Sequence, residues 1–344
     1  MLKRYFYSWV TILLLLLAVI AFLSIQQGSI SLTFAQIIAI FAHLMGIETN
    51  TPFTMLQQSV VMEIRLPRTI LGILVGSSLA ICGVTMQGLF RNPLADPTLI
   101  GVSSGASLAA VTMIVLGHSL FAPVTQWLGF YALPIAAFIG GFITTFLVYQ
   151  LAKLENGETS VATLLLAGIA INAFCSALIY VLIYLADNNQ LRTLSLWQMG
   201  NLANATWTEI LICLPIILVT TSLLLNYGRA LNALLLGERE AHYLGFNTTR
   251  LIRRLLTLVA LTVGTTVAIA GIIGFVGLIV PHLLRLLLGA NHRLLLPASL
   301  LLGAILLVSA DILARLLVAP AELPIGILTA LLGAPFFIAL LKRH

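Results

Sequence analysis

Charge is scarce in this chain: of 344 residues only 8% are Asp, Glu, Lys or Arg, against 60% that are hydrophobic. A water-soluble globule cannot cover its surface from that composition, and apolar runs of membrane-spanning length recur along the sequence. Lysine is scarcer still. Lys3, Lys153 and Lys342 are the only three, and none follows the glycine-rich loop that cradles nucleotide phosphates, so the chain has no means of hydrolysing ATP itself. Cys82, Cys175 and Cys213 all sit in apolar runs, without the pairing of a disulfide framework or the spacing of a thiolate metal site, and read as small core residues. None of the six histidines has a partner at metal-ligand spacing, and no Ser, His and Asp constellation stands out. An enzyme has no residues here to carry it. The net charge of +6 is distributed as a membrane topology would distribute it, not as a nucleic-acid footprint.

What remains is a single integral membrane domain covering residues 1–344. The start, Lys3 and Arg4 before an apolar run, has the form of a signal peptide; with so many equally apolar spans behind it and no small-residue cleavage site, it reads as an uncleaved first helix. At about twenty apolar residues per crossing, ten all-α spans are expected: 9–27, 66–90, 98–117, 130–152, 161–186, 207–227, 252–270, 272–288, 294–316 and 323–341. The seventh and eighth are hard to separate, since only Gly271, Gly274 and Gly277 mark a break. Ten spans with both termini in the cytoplasm place thirteen of the seventeen basic residues inside, leaving Arg65, Arg68, Arg192 and Arg315 outside.

Those outward arginines raise a question. "RLPRT" (65–69) sets two arginines three apart at the outer start of a helix, with Pro67 near the first turn where its missing N–H does no harm. Arg315 precedes "AELPIG" on the same side. They read either as snorkelling interfacial anchors or as a basic outer rim for a partner bearing carboxylates. Asp311, four residues before Arg315, reads as an ion pair or buried polar contact with it; an intramembrane proton site in an ion-coupled carrier is the rival. Small residues in "GSSLAICGVTMQG" (76–88) and "NPLADPTLIGVSSGA" (92–106) suit closely packed helices.

On the cytoplasmic side, "LNALLLGEREAHYLGF" (231–246) concentrates four titratable residues in five positions. It reads as a short helix after Gly237, with Glu238 and Glu240 in the first turn, Arg239 between them, and Gly245 as its end. Leu234, Leu235, Ala241 and Leu244 recur at about helical spacing and give it an apolar face. That face would pack on the membrane domain or receive a partner.

Taken together, "RLPRT", "GSSLAICGVTMQGLFRNPLADPTLIGVSSGAS", "LLLAGIAIN", "LNALLLGEREAHYLGF", "GIIGFVGLIVPHLLRLLLGANHRLLLP" and "ADILARLLVAPAELPIGILTALLGAPFFIALL" resemble the FecCD-type permeases of ATP-binding-cassette importers for ferric siderophores, heme and cobalamin, over residues 60–341. The resemblance implies the type II importer fold: a permease homodimer in the cell inner membrane, two cytoplasmic ATPases that use the ATP, and a periplasmic binding protein that delivers cargo. No permanently bound cofactor is implied. Arg65, Arg68 and Arg315 match positions on which the binding protein docks. Leu235, Gly237, Glu238, Arg239, Glu240, Ala241, Leu244 and Gly245, within a segment of about 228–250, match the helices that couple to the ATPase. Thr159, Ser160, Val161 and Ala162 match the cytoplasmic gate, and the fifth and tenth spans the pathway lining. The outer stretch "DNNQLRTLSLWQMGNLANATW" (187–207) is most similar to the heme-importing branch, with Asn201 and Asn204 where that branch has glycines. Heme is therefore the expected cargo, with a ferric siderophore or cobalamin as the alternative.

Overall fold

The computed structural model describes residues 2–28, 30–153, 160–319 and 321–341, and contains helices but no β-strand among them. In chain order the helices are α1 (Leu2–Gln26), α2 (Phe34–Leu44), α3 (Met55–Ser59), α4 (Leu66–Phe90), α5 (Val102–Leu116), α6 (Ala122–Leu128), α7 (Ala132–Leu151) and α8 (Val161–Leu185). There follow α9 (Asn188–Gln198), α10 (Trp207–Leu225), α11 (Gly228–Leu236), α12 (Glu238–Tyr243), α13 (Thr248–Ala270), α14 (Val276–Leu288), α15 (His292–Leu317) and α16 (Ile325–Leu341). Among the described residues seven helical stretches are long and apolar enough to cross a membrane, and α5, α14 and α16 are shorter apolar helices at the places of the remaining three expected spans. Ten crossing helices, α1, α4, α5, α7, α8, α10, α13, α14, α15 and α16, thus form the body. Successive ones run in opposite directions, so one face carries α11 and α12 and the other the junctions of α1 with α4 and of α15 with α16.

Helix α2 was not among the expected spans. Its eleven residues reach only about 16 Å, too short to cross. Thr33 and Gln36 close its start as a capping box, and Ile37 and Ile40 pack on Ile25, Leu32 and Val61. The second span also begins earlier than expected, because α3 and a π-helical turn (Val60–Arg65) lead without interruption into α4. The eighth span is a half-helix. Its 13 residues cover about 20 Å, and the preceding Gly271 (φ +69°) and Phe275 (φ +67°) hold the backbone out of helix within the bundle. Freed carbonyls find partners nearby: Asn201 N donates to Ala270 O, at the break, at 2.8 Å, and Gln87 Nε2 to Gly277 O, which Pro281 leaves without a helical donor, at 3.3 Å.

At the centre stands α4, packed against α10, α13, α14 and α15. In lipid the association of helices rests on close packing, not on hydrophobic expulsion. Gly76 faces Gly303 of α15 and Gly83 faces Gly277 of α14, and a Cβ on Gly76, Gly83 or Gly303 would run into the facing backbone carbonyl. Helices α8 and α16 lie at the periphery, with Leu166, Phe174, Tyr180 and Tyr184 of α8 and Leu331, Leu332 and Ile338 of α16 exposed.

Candidate functional site

The segment after α10 forms the expected short helix on the far side of Gly237, with a different distribution of its apolar side chains. In α11, Leu231 and Leu234 are buried in the core. Gly237 (φ +131°, ψ 158°) then turns the chain sharply, in a conformation that L side chains rarely adopt, and the Glu240 carboxylate folds back over its Cα. Helix α12 starts with Glu238 and Glu240 in its first turn and closes with Gly245 N donating to His242 O at 2.9 Å and Phe246 N to Ala241 O at 3.0 Å. Because the break at Gly237 interrupts the helical phase, the expected single apolar face does not form. Leu234 and Ala241 turn inward, at 2% and 0% exposure, while Leu235 and Leu244 join Leu236 and Tyr243 on an exposed apolar patch rimmed by Arg239, Glu240 and His242.

The patch is tied to the bundle by two polar links. Asn232 Oδ1 accepts from His292 N at 2.8 Å and faces His292 Nδ1 at 3.1 Å, while Asn232 Nδ2 donates to Asn291 Oδ1 at 2.8 Å. This joins α11 to the first turn of α15, with the His292 ring pressed onto Gly88 of α4. Glu238 also approaches Arg91, at the end of α4, at 3.8 Å. Neither Asn232 nor His292 stood out in the sequence, since a single Asn and His 60 positions apart carry no pattern.

At the opposite face the three arginines are not an exposed rim. Arg65, Arg68 and Arg315 are 4%, 6% and 8% exposed. Arg65 Nη1 donates to Ile25 O at 2.8 Å and Gln26 O at 2.7 Å, and Nη2 to Ile30 O, so it gathers the carbonyls that end α1. Arg68 grips Asp311 through Nε, 3.0 Å from both carboxylate oxygens, and through Nη2 at 2.8 Å; its Nη1 donates to Glu322 Oε2 at 2.8 Å. Arg315 reaches Asp311 Oδ2 at 3.2 Å, Ser24 O at 3.1 Å and Gln27 O at 3.0 Å. A guanidinium at the end of a span is too costly to bury bare, and here α1, α4 and α15 supply its partners. The exposed charges on this face are instead mainly acidic, Glu48, Glu63, Asp187 and Glu322 against Arg192. Asp311, held between two guanidiniums and 3% exposed, is a buried ion-pair partner, an arrangement with no demand for a transported proton. Glu322 completes the cluster; it stands in "AELPIG", but nothing in the sequence pairs it with a residue 254 positions earlier.

Of the expected gate, Thr159 lies outside the described residues. Ser160 caps α8, accepting from Thr163 N at 3.3 Å, with Val161 half-buried and Ala162 exposed. Ser104, Asn172 and Thr98 connect α5, α8 and the turn between α4 and α5, through Ser104 Oγ to Asn172 Oδ1 at 2.7 Å and Asn172 Nδ2 to Thr98 O at 3.1 Å. Among the described residues, no group of three or more His, Cys, Asp or Glu is arranged to hold a metal ion.

Ten expected crossing helices, with exposed apolar side chains on α11 and α12 at one face, suit a transport scaffold, and comparison with known proteins assigns it. The profile of the FecCD transport family matches residues 15–343. The chain belongs to that family. This FecCD permease is 47% identical over 332 residues to the hemin transport system permease protein of Yersinia pestis, covering 96% of this chain and 94% of the relative. It is 45% identical over 285 residues to the cobalamin import system permease protein of Halobacterium salinarum, covering 83% and 74%. A solved inward-facing structure of an ABC transporter of the metal-chelate type superposes with a TM-score of 0.84 at 36% identity, covering 99% of this chain and all of the other. The FecCD permease is therefore the transport component of an ABC system, with its polar chemistry concentrated at two membrane faces.

Proposed function

We propose that this permease forms a homodimer that carries heme from the periplasm across the inner membrane, driven by two cytoplasmic ATPase subunits and supplied by a periplasmic binding protein. The observation that carries the cargo assignment is the 47% identity to a hemin permease over nearly the whole chain. Both termini lie in the cytoplasm on this reading, which puts α11 and α12 where ATPases can reach them. Closure of the ATPases pushes on Leu235, Leu236, Tyr243 and Leu244; the break at Gly237 fixes the angle of α12, and Asn232 and His292 pass the displacement to α15. The exposed faces of α8 and α16 supply the dimer contact and pathway walls, with residues 159–162 as the gate at the inner end of α8.

The binding protein meets the arginine cluster from the other side. Arg68 is its reachable member, through the Nη1 that Glu322 now covers with a side chain 43% exposed. A docking carboxylate takes Glu322's place there, and Arg65 and Arg315 hold the end of α1 beneath. The permease keeps no permanent cofactor, and the cargo is released on the ATPase side.

The test reconstitutes permease and ATPase in proteoliposomes and compares ATPase stimulation by binding protein loaded with heme, cobalamin or a ferric siderophore. Stimulation by the heme-loaded form alone is expected. Stimulation by cobalamin alone would reassign the cargo, and uptake that needs an ion gradient but no ATP would overturn the importer reading.

A further inference from the structure

A groove of about 290 Å³ runs between α7 and α13, lined by Phe142, Phe146 and Tyr149 on one wall and by Arg253, Thr257 and Ala260 on the other. The volume is at the small end for ligand sites, roughly 300–1,000 Å³, and suits a slender apolar group. Phe142 and Phe146 are 38% and 51% exposed, so the groove opens sideways toward lipid. Its charged end is on the side of α11 and α12. Arg253 is the sixth residue of α13, roughly 8 Å along its axis, which is headgroup depth.

Three further cations gather at that end. Lys153 Nζ stands 5.2 Å from the centre of the Tyr149 ring, and Arg250 and Arg254 flank Arg253 in the exposed first turns of α13. Among the described residues none of the four has a carboxylate within ion-pair distance, whereas the arginines at the other face are heavily partnered. A slot with an apolar floor and a cationic mouth, with no ion-paired carboxylate among the described residues, is complementary to one molecule abundant at that position. We infer that the groove between α7 and α13 is a binding site for an anionic phospholipid, an acyl chain lying along Phe142, Phe146 and Ala260 and the phosphate held by Arg253 with Lys153. The cations are then ligands as well as markers of topology.

The purified permease tests this by native mass spectrometry after reconstitution in nanodiscs of phosphatidylcholine with phosphatidylglycerol. Wild type is expected to retain phosphatidylglycerol over phosphatidylcholine. Arg253→Gln, at an exposed position, should lower that retention about fivefold, and Lys153→Gln should add a similar factor, as befits roughly 1 kcal/mol per basic residue near a membrane surface. Thr257→Trp fills the slot without changing charge and should release both lipids while the permease stays folded. Equal retention of the two lipids by wild type, or unchanged retention in Arg253→Gln, would overturn the assignment. Displacement by millimolar inorganic phosphate alone would do the same, since the acyl chain would then contribute nothing. A Thr257→Trp variant that loses its dimer instead of its lipid would assign the groove to a second copy of the chain.

Discussion

Asp311→Ala is the most informative single substitution at the arginine cluster. One carboxylate, 3% exposed, accepts from Arg68 through three contacts of 2.8 to 3.0 Å and from Arg315 at 3.2 Å. Removing it leaves two guanidiniums facing each other with only Glu322 to answer them. Breaking a buried pair by deleting one partner costs roughly 3–5 kcal/mol, the penalty being the charge left behind. Glu322→Ala deletes a carboxylate whose side chain is 43% exposed, where solvent can replace it, and should cost about 0–1 kcal/mol. The two are thus predicted to differ severalfold although both remove one negative charge from Arg68. Three free, buried cysteines provide the readout: Cys82, Cys175 and Cys213 are 0%, 2% and 0% exposed and become reactive only on unfolding. A thiol-reactive fluorogenic dye followed on heating in detergent should therefore report a Tm for Asp311→Ala lower by roughly 6–15 °C, at about 2–3 °C per kcal/mol for a large domain, and a shift of at most about 3 °C for Glu322→Ala. An Asp311→Ala protein that melts with wild type, or a Glu322→Ala protein that melts as early as Asp311→Ala, would refute the assignment of the cluster as a buried network centred on Asp311.

Other expectations bear on coupling and packing. Gly237→Ala puts a side chain at φ +131°, a strain of roughly 1–3 kcal/mol, and should lower uptake per ATP hydrolysed in proteoliposomes; normal coupling would show that the angle of α12 is not fixed there. Asn232→Leu removes the acceptor shared by His292 N and Nδ1 and the donor to Asn291 Oδ1, at roughly 1–3 kcal/mol, and should uncouple ATP hydrolysis from uptake; normal coupling in this variant would remove Asn232 from the linkage. Gly83→Ala drives a Cβ into the Gly277 carbonyl, which can move only by parting α4 from α14, and should cost about 1–3 kcal/mol by the same thiol assay. Glu322→Gln frees Arg68 Nη1 from its anionic cover and should tighten docking of the binding protein in a surface-binding assay; weaker docking would mean that Glu322 itself is the contact.

Much of the bundle was legible from composition, because a bilayer imposes a length on each crossing helix; among the described residues seven helical stretches meet it and three shorter apolar helices stand at the other expected places. The missed elements are those to which that length does not apply. Helix α2 is an eleven-residue apolar helix that packs on the side of the bundle, whereas α14 stands where the eighth span was expected but is shorter, its first residues being unwound. Gly271 and Gly274 signalled the break, but a left-handed Phe275 has no signature of its own. At the coupling segment, residue types located the helix and both of its glycine boundaries. Its faces were misjudged because helical phase was carried across Gly237, where the backbone resets it.

The arginines show a deeper limit. The charge rule marked Arg65, Arg68 and Arg315 as anomalous for their side of the membrane, but whether a cation at a span end is exposed depends on partners that the sequence holds far away: Ile25 lies 40 positions from Arg65, and Asp311 lies 243 from Arg68. The three-dimensional answer rules out a simple charge-reversal test. Replacing Arg65 and Arg68 by glutamates would bury two carboxylates beside Asp311 and against the carbonyls ending α1, and loss of transport in that variant would report misfolding as readily as lost docking. A buried ionic cluster is also inefficient as pure scaffolding, since well-packed apolar residues of the same volume often stabilise as much or more. Its purpose is better sought where it opens to solvent, at Arg68 Nη1 under Glu322. On the proposed docking, a partner's carboxylate would exchange there for the half-exposed Glu322 carboxylate, and docking would be reversible while the ends of α1, α4 and α15 stay fixed.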